Sequence, residues 1–322
     1  MTQESPLIAL AKSPSPQSPS AQPPSAESPP DGPSSATGVP PREPTPGRRL
    51  GLGLRGLARR PLLLAAVLYL LLIAGWTLVP WLFTGQDPLA TDASLSLTEP
   101  GGAHWFGTDN LGRDIYARVV HGTRVSIVAG LLAVGLSLAV GSALGLLAGY
   151  LGGWVDQVLM RVVEVLVVIP GLLLSLAVVS ILGFGTTNVA IAVGVAGVPG
   201  FARVVRAEVL RIRTSTYVRA AVTSGHRTPA ILVRHVLPNA SPPVLVLAAL
   251  DVGGAVLSVA ALSFLGFGAS PPAPELGAMV AQGRDYIGTA WWLTTFPGLA
   301  IALVVLSTSR VARALERSGV SS

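Results

Sequence analysis

Val125-Ser-Ile-Val-Ala-Gly-Leu-Leu-Ala-Val-Gly-Leu-Ser-Leu-Ala-Val-Gly-Ser-Ala-Leu-Gly-Leu-Leu-Ala-Gly-Tyr150 contains no charged residue. A hydrocarbon core about 30 Å thick takes about 20 apolar residues to cross as a helix. This stretch is long enough, and it reads as a membrane span. Gly130, Gly135, Gly141, Gly145 and Gly149 leave room for a neighbouring helix to approach closely.

Outward from this stretch lie five more apolar runs: about 61–83, 162–182 carrying Pro170, 189–204 interrupted by Pro199-Gly200, 243–265 and 291–306. Half the chain is hydrophobic and 12% is charged. Soluble domains carry about 25% charged residues, so most of this chain faces lipid or packed protein. The sequence predicts an all-α polytopic membrane protein with six transmembrane helices. There is no cysteine, hence no disulfide framework, thiolate metal site or cysteine nucleophile.

Charge placement tests that layout. With the N-terminus inside, the inner segments are 1–60, 151–161, 202–240 and 307–322; they hold 18 of the 22 basic residues. Outside remain Arg113, Arg118, Arg124 and Arg284. This asymmetry predicts a multi-pass protein of the cytoplasmic membrane with both termini cytoplasmic. Arg48, Arg49, Arg55, Arg59 and Arg60 hold the start of the first span inside, and Trp76 and Trp81 suit the far interface. The net charge of +6 is thereby assigned to membrane lipid and orientation, with no nucleic acid as partner.

Residues 1–46 are rich in Pro and Ser and lack aromatics, which predicts a disordered cytoplasmic tail. Residues 84–123 are polar and turn-rich. The apolar spacing after Asp109-Asn-Leu-Gly-Arg-Asp114 predicts a short amphipathic helix at the interface. The domain plan is therefore the tail 1–46; the first span with its external loop, 47–122; the main transmembrane domain, 123–310, including the loop 202–240; and a C-terminal tail, 311–322.

The loop from Arg203 to Asn239 is too charged to span. Ser215 or Thr216 can cap a short helix through Ala220 and Ala221, and Gly225 can end it in a left-handed turn. Thr228 can cap a second helix with Pro229 at its first position, and Pro238 is expected to stop that helix before the membrane. Two readings stand for this loop on residues alone: a solvated positive loop, or a docking surface where small residues admit a partner and arginines steer it.

Tyr217-Val-Arg-Ala-Ala221, then Gly225, then His235-Val-Leu-Pro-Asn239 resembles the cytoplasmic "EAA" loop of binding-protein-dependent ABC permeases. Gly107-Thr-Asp-Asn-Leu-Gly-Arg-Asp114 is similar to a segment of the dipeptide, oligopeptide and nickel permeases of the "C" type. So are Gly149-Tyr-Leu-Gly-Gly-Trp-Val-Asp156, Ala261-Leu-Ser-Phe-Leu-Gly-Phe-Gly268, Gly283-Arg-Asp-Tyr286, Ala290-Trp-Trp292 and Phe296-Pro-Gly298. The likeness runs in order from about 60 to 305.

The resemblance implies the type I importer permease fold and a pore-forming subunit that does no bond chemistry. It implies as partners ABC ATPase subunits, a second homologous permease and an extracytoplasmic substrate-binding protein, with di- or oligopeptide cargo and alternating access. It places Tyr217, Arg219, Ala220, Ala221, Gly225, His226, Arg227 and Thr228 on the ATPase-coupling loop. Three departures stand out: Arg219 replaces the usual loop glutamate, Val259 replaces an acid, and Thr308 to Arg317 lacks a Gly-Asp step.

Chemistry in the spans is sparse. A charge at a helix centre costs about 2.5–3.5 kcal/mol on insertion scales. Glu164 can pair with Arg161 at i−3 near an interface. Asp251 either lines a pathway or bonds a neighbouring helix. Lys12 is the sole lysine, so the chain has no P-loop and any ATP energy comes from another chain. His104, His121, His226 and His235 form no i, i+4 pair, and neither a metal nor another cofactor is expected. Ser258 and Ser263 have no His–acid partners in sequence, so no hydrolase is expected. The rivals are an ATP-independent secondary transporter and an importer for nickel or another small solute; co-purification with an ATPase separates the first from an ABC permease.

Overall fold

In the computed structural model the described residues are 61–216, 218, 223, 234 and 236–319. They lie in the unit Leu50–Ser322; the tail 1–46 falls outside them. The described residues are helical, apart from connections and one isolated bridge between Thr108 and Asp114.

The spans are α1 (Pro61–Leu78), α2 (Ile115–Leu151), the broken pair α3 (Gly153–Val168) and α4 (Gly171–Leu182), α5 (Thr186–Arg213), α6 (Leu237–Phe264) and α8 (Trp292–Gly319). Between the last two lies the short α7 (Leu276–Gly283). Five helices are individually long and apolar enough to cross a membrane, and α3 with α4 makes a sixth candidate bent by 98°. The pair starts beside the C-terminal end of α5, where Arg206 binds Asp156. It ends beside the N-terminal end of α5, where Phe184 stacks on Phe267 and Gly185 N–H donates to the Phe267 carbonyl. A segment that begins at one end of α5 and finishes at the other crosses the bundle, so the helices make six passages among the described residues.

The bend has a local cause. Pro170 has no N–H, and Ile169 ahead of it is extended at ψ 125°, as a residue before proline prefers. Pro199 acts otherwise: α5 continues through it to Arg213, so the expected interruption at Pro199-Gly200 is absent. One missing hydrogen bond is tolerated where neighbouring helices hold the segment. The loop proper consequently begins at Thr214. Pro238 sits in the first turn of α6, where its missing N–H costs nothing; the loop helix it was expected to stop lies outside the described residues.

The expected separate interfacial helix is the first turns of α2. Asp114 caps it by accepting from Ala117 N–H at 2.7 Å, and nothing between Val120 and Val125 breaks it, so one helix of 37 residues results.

Glycines set the centre of the bundle. α2 and α5 pack along their length. A β-carbon added at Gly141 would stand 2.7 Å from the Val198 carbonyl; one at Gly145, 2.5 Å from that of Ala202; one at Gly149, 3.1 Å from that of Arg206. Backbones meet there because these positions carry no side chain. Gly130 serves the same purpose against Val256 of α6, whereas Gly135 faces open space.

Candidate functional site

Two ends of the bundle differ in build. At the end reached by α2's N-terminus, residues 84–114 fold into a cap over the helices. Gly107 and Gly112 take φ of 74° and 73°, and a β-carbon on Gly112 would collide with the Asp92 carbonyl. Ser94's hydroxyl, then its amide, hold Asp92 below the usual carboxylate range. Asp109 accepts from Leu111 N–H, Arg113 N–H and, at 2.6 Å, Arg113 Nε. Arg118 lies beside it at 3.8 Å, 1% exposed, and donates to the Pro88 carbonyl. His104 Nδ1 is 2.8 Å from Asp114 Oδ2. Trp292 Nε1 donates to the Thr108 carbonyl at 3.0 Å and fastens the cap to α8.

Glu275, fully buried, belongs to the same end. It accepts from Ser263 of α6, from Ala269 N–H at 2.7 Å and from Thr186 of α5 at 3.5 Å. Sequence reasoning passed over Glu275 and Arg118. The one available signal was a lone acid after Ser270-Pro-Pro-Ala-Pro274, within a segment without other charges.

The opposite end carries the loop. Tyr217, Arg219, Ala220, Ala221, Gly225, His226, Arg227 and Thr228 lie outside the described residues. Their described neighbours Val218 and Val236 are buried in the core with Val209 and Ile212. Arg213 Nη1 donates to the Gly149 carbonyl at 2.8 Å, and Arg206 grips Asp156 at 2.5 and 2.6 Å. The stem of the loop is thus tied to the α2–α3 turn. Glu164 is exposed and lies 3.4 Å from Arg161, also exposed. Both face an open hollow of about 600 Å³ that Asp156 and Arg206 also line.

Asp251 sits mid-way along α6, half-buried. It faces α5: a β-carbon on Gly197 would lie 3.8 Å from its Oδ2. It makes no hydrogen bond or ion pair with any described residue. Two adjoining hollows share Asp251, Gly171, Ala196 and Gly197. One, of about 200 Å³, has Ser137, Ser175 and Ser258 in its wall. The other, of about 280 Å³, runs past Pro199 to Arg203. The structure thus brings Asp251 to the α3–α4 break and leaves Glu164 apart from it.

Residues 141–318 match the model of the binding-protein-dependent transport system inner membrane component. The chain belongs to this permease family. Among curated relatives, the probable D,D-dipeptide transport system permease protein DdpC of Escherichia coli is 42% identical over 242 residues, 75% of this chain and 81% of that one. The dipeptide transport system permease protein DppC of Alkalihalophilus pseudofirmus is 40% identical over 254 residues, 78% and 84% of the two chains. The glutathione transport system permease protein GsiD of Pectobacterium atrosepticum is 44% identical over 208 residues, 65% and 69%. The inward-facing MetNI methionine ABC transporter superposes with a TM-score of 0.50 at 21% identity, over 62% of this permease and 97% of that chain; the likeness concerns fold. This permease is therefore a multi-pass membrane component of a transport system and not an enzyme.

Proposed function

We propose that this permease is one of two pore-forming subunits of an ATP-driven importer of short peptides. The observation that carries the reading is cargo shared among relatives. Permeases named for D,D-dipeptide, dipeptide and glutathione transport are each 40% identical or more over most of their length. Three peptide-like solutes leave nickel without support among them.

Both termini lie in the cytoplasm, as the arginine-rich segments require. The loop between α5 and α6 meets a separate ATPase, with Tyr217, Arg219, Ala220, Ala221 and Gly225 on the docking helix and His226, Arg227 and Thr228 at its end. The tie from Arg206 to Asp156 and the burial of Val218 give that helix a firm base, so a push on it reaches α3 and α5 together. The break at Pro170 lets α3 swing while α4 stays on α5. ATP closure of the ATPase dimer then turns the pore outward, where an extracytoplasmic binding protein delivers peptide. The cap of residues 84–114 lies on the side such a protein would approach.

The test is affinity capture from membranes in mild detergent with an ATPase assay, comparing wild type with Gly225→Trp. Recovery of an ATPase with wild type and its loss from the variant is the expected result. If neither captures an ATPase, the chain works without ATP and the secondary-transporter reading replaces this one.

A further inference from the structure

Asp251 is a carboxylate in a membrane helix without a cation on it. Its burial needs a counterpart, and the described residues offer none. The surroundings indicate what that counterpart is. The turn at Pro170-Gly171 opens a hollow in front of it. Gly197 and Gly254 add no side chain there: β-carbons on them would come within 3.8 and 3.7 Å of the carboxylate oxygens. Ser137 spends its proton on the Gly194 carbonyl and Ser175 on that of Gly171, so both present oxygens as acceptors. A carboxyl group beside two serine oxygens that can only accept suits a cation bearing several N–H donors.

The adjoining hollow adds the opposite charge. Arg203 lines it, exposed and without an ion pair to any described residue. It follows Gly197 by six residues, about 9 Å along the helix at about 1.5 Å per residue. An acid and a base therefore share one hollow without neutralising each other. The hollow, about 280 Å³, leaves room for a solute carrying both charges at its two ends.

We propose that Asp251 and Arg203 form a dipolar cradle in the translocation cavity, with Asp251 receiving the α-ammonium group of a short peptide and Arg203 its terminal carboxylate. This rests on the peptide-import reading and adds the residues that would select a free zwitterion during passage. The fit is loose by design of the hollow. Between Asp251 and Arg203 the wall is Gly171, Gly197, Gly200 and apolar side chains, with no further polar side chain among the described residues to read the peptide; the three serines lie beyond Asp251 in the adjoining hollow.

The complete transporter, with its ATPase, second permease and binding protein, is reconstituted in vesicles and assayed for ATP-driven uptake of radiolabelled dialanine. Asp251→Asn and Arg203→Gln are each expected to lower uptake ten-fold or more. Asp251→Glu and Arg203→Lys are expected to keep a third or more of it. Size-exclusion chromatography reports whether each complex stays assembled. Uptake by Asp251→Asn within two-fold of wild type overturns the cradle. Dissociation of the complex by both Asp251→Asn and Asp251→Glu also overturns it, because Asp251 then pairs with the second permease. Normal uptake by Arg203→Gln removes the carboxylate half and with it the dipolar cradle. If wild type assembles with an active ATPase and takes up no dialanine, the cargo reading falls and the cradle with it; variant results beside an active wild type bear on the cradle alone.

Discussion

Arg206 holds Asp156 through two parallel hydrogen bonds, Nε to Oδ1 at 2.5 Å and Nη2 to Oδ2 at 2.6 Å. The pair joins the first turn of α3 to the last turns of α5, about two turns before the loop begins at Thr214. Bidentate geometry makes it stronger than a single contact. Its partial exposure, 34% for Arg206 and 19% for Asp156, means that solvent screens it. A double-mutant cycle with Asp156→Ala and Arg206→Ala is expected to give a coupling of about 1 kcal/mol in detergent unfolding. The larger effect falls on coupling. In the complete importer proposed above, each single variant should raise the ATP that the separate ATPase hydrolyses per solute moved, since α3 no longer follows the loop. Equal stoichiometry in variant and wild type would show the tie to be structural only.

Gly145 and Gly135 lie on the same helix and differ in what surrounds them. A β-carbon at Gly145 would press on the Ala202 carbonyl at 2.5 Å and on Arg206 N at 2.9 Å; at Gly135 it would meet nothing within 4 Å. Backbone cannot yield as a flexible side chain does, and overpacking costs about 1–3 kcal/mol or more. Gly145→Leu is expected to abolish a monodisperse peak in fluorescence-detected size exclusion, with Gly135→Leu unchanged. A well-behaved Gly145→Leu protein would mean that α2 and α5 can separate without loss of the fold.

Glu275 gathers three chain segments through one carboxylate: Ser263 at the end of α6, the amide of Ala269, and Thr186 at the start of α5. Glu275→Ala strands these groups in a site that solvent does not reach. An unsatisfied buried donor costs about 1–3 kcal/mol, so a loss of several kcal/mol is expected for this variant. Glu275→Gln keeps one acceptor oxygen in place and is expected to lose about half as much. Thermal unfolding of the purified permease orders the two. Equal losses would show that the charge itself, and not the acceptor geometry, holds the segments.

The six passages were legible because each carries a largely apolar run, the shortest 16 residues and the longest 26, a signal that tertiary packing cannot cancel. Gly141, Gly145 and Gly149 were legible as contact points for the same reason: small residues in an apolar helix have few other uses. Prolines were read less well. Pro170 bends its span by 98° and Pro199 leaves its helix intact, because the outcome depends on what holds the neighbouring backbone. Asp251 stood out as a charge among apolar residues, yet its place before the α3–α4 break arises from three helices meeting. Arg203 looked like one more positive-inside arginine. Its share in Asp251's hollow is set by the register of α5 against α6, which no local pattern encodes. Glu275 and Arg118 escaped because their partners lie in distant segments: Thr186 is 89 residues from Glu275, and Pro272 is 154 from Arg118.

Asp109 is the sharpest test of the cap. It accepts two backbone N–H groups and the Arg113 guanidinium, and it lies 3.8 Å from Arg118 Nε. Both arginines are buried, at 6% and 1% exposure. Two cations thus depend on one carboxylate in a site largely closed to water. Removing the carboxylate leaves both uncompensated, and breaking a buried pair in this way costs about 3–5 kcal/mol. Asp109→Ala is therefore expected to unfold the cap and expose residues 84–114 to protease, with the helical bundle still intact. Arg113→Met removes one cation and leaves Asp109 with Arg118 and the two amides, so its cap should remain protease-resistant. Arg118→Met is expected to fall between them: it relieves a buried charge and forfeits the bond to the Pro88 carbonyl. The order Asp109→Ala, then Arg118→Met, then Arg113→Met in cleavage rate follows from counting the cations each variant leaves without a carboxylate and the bonds it removes. A reversed order would place the cap's stability in its glycine turns, not in its charges.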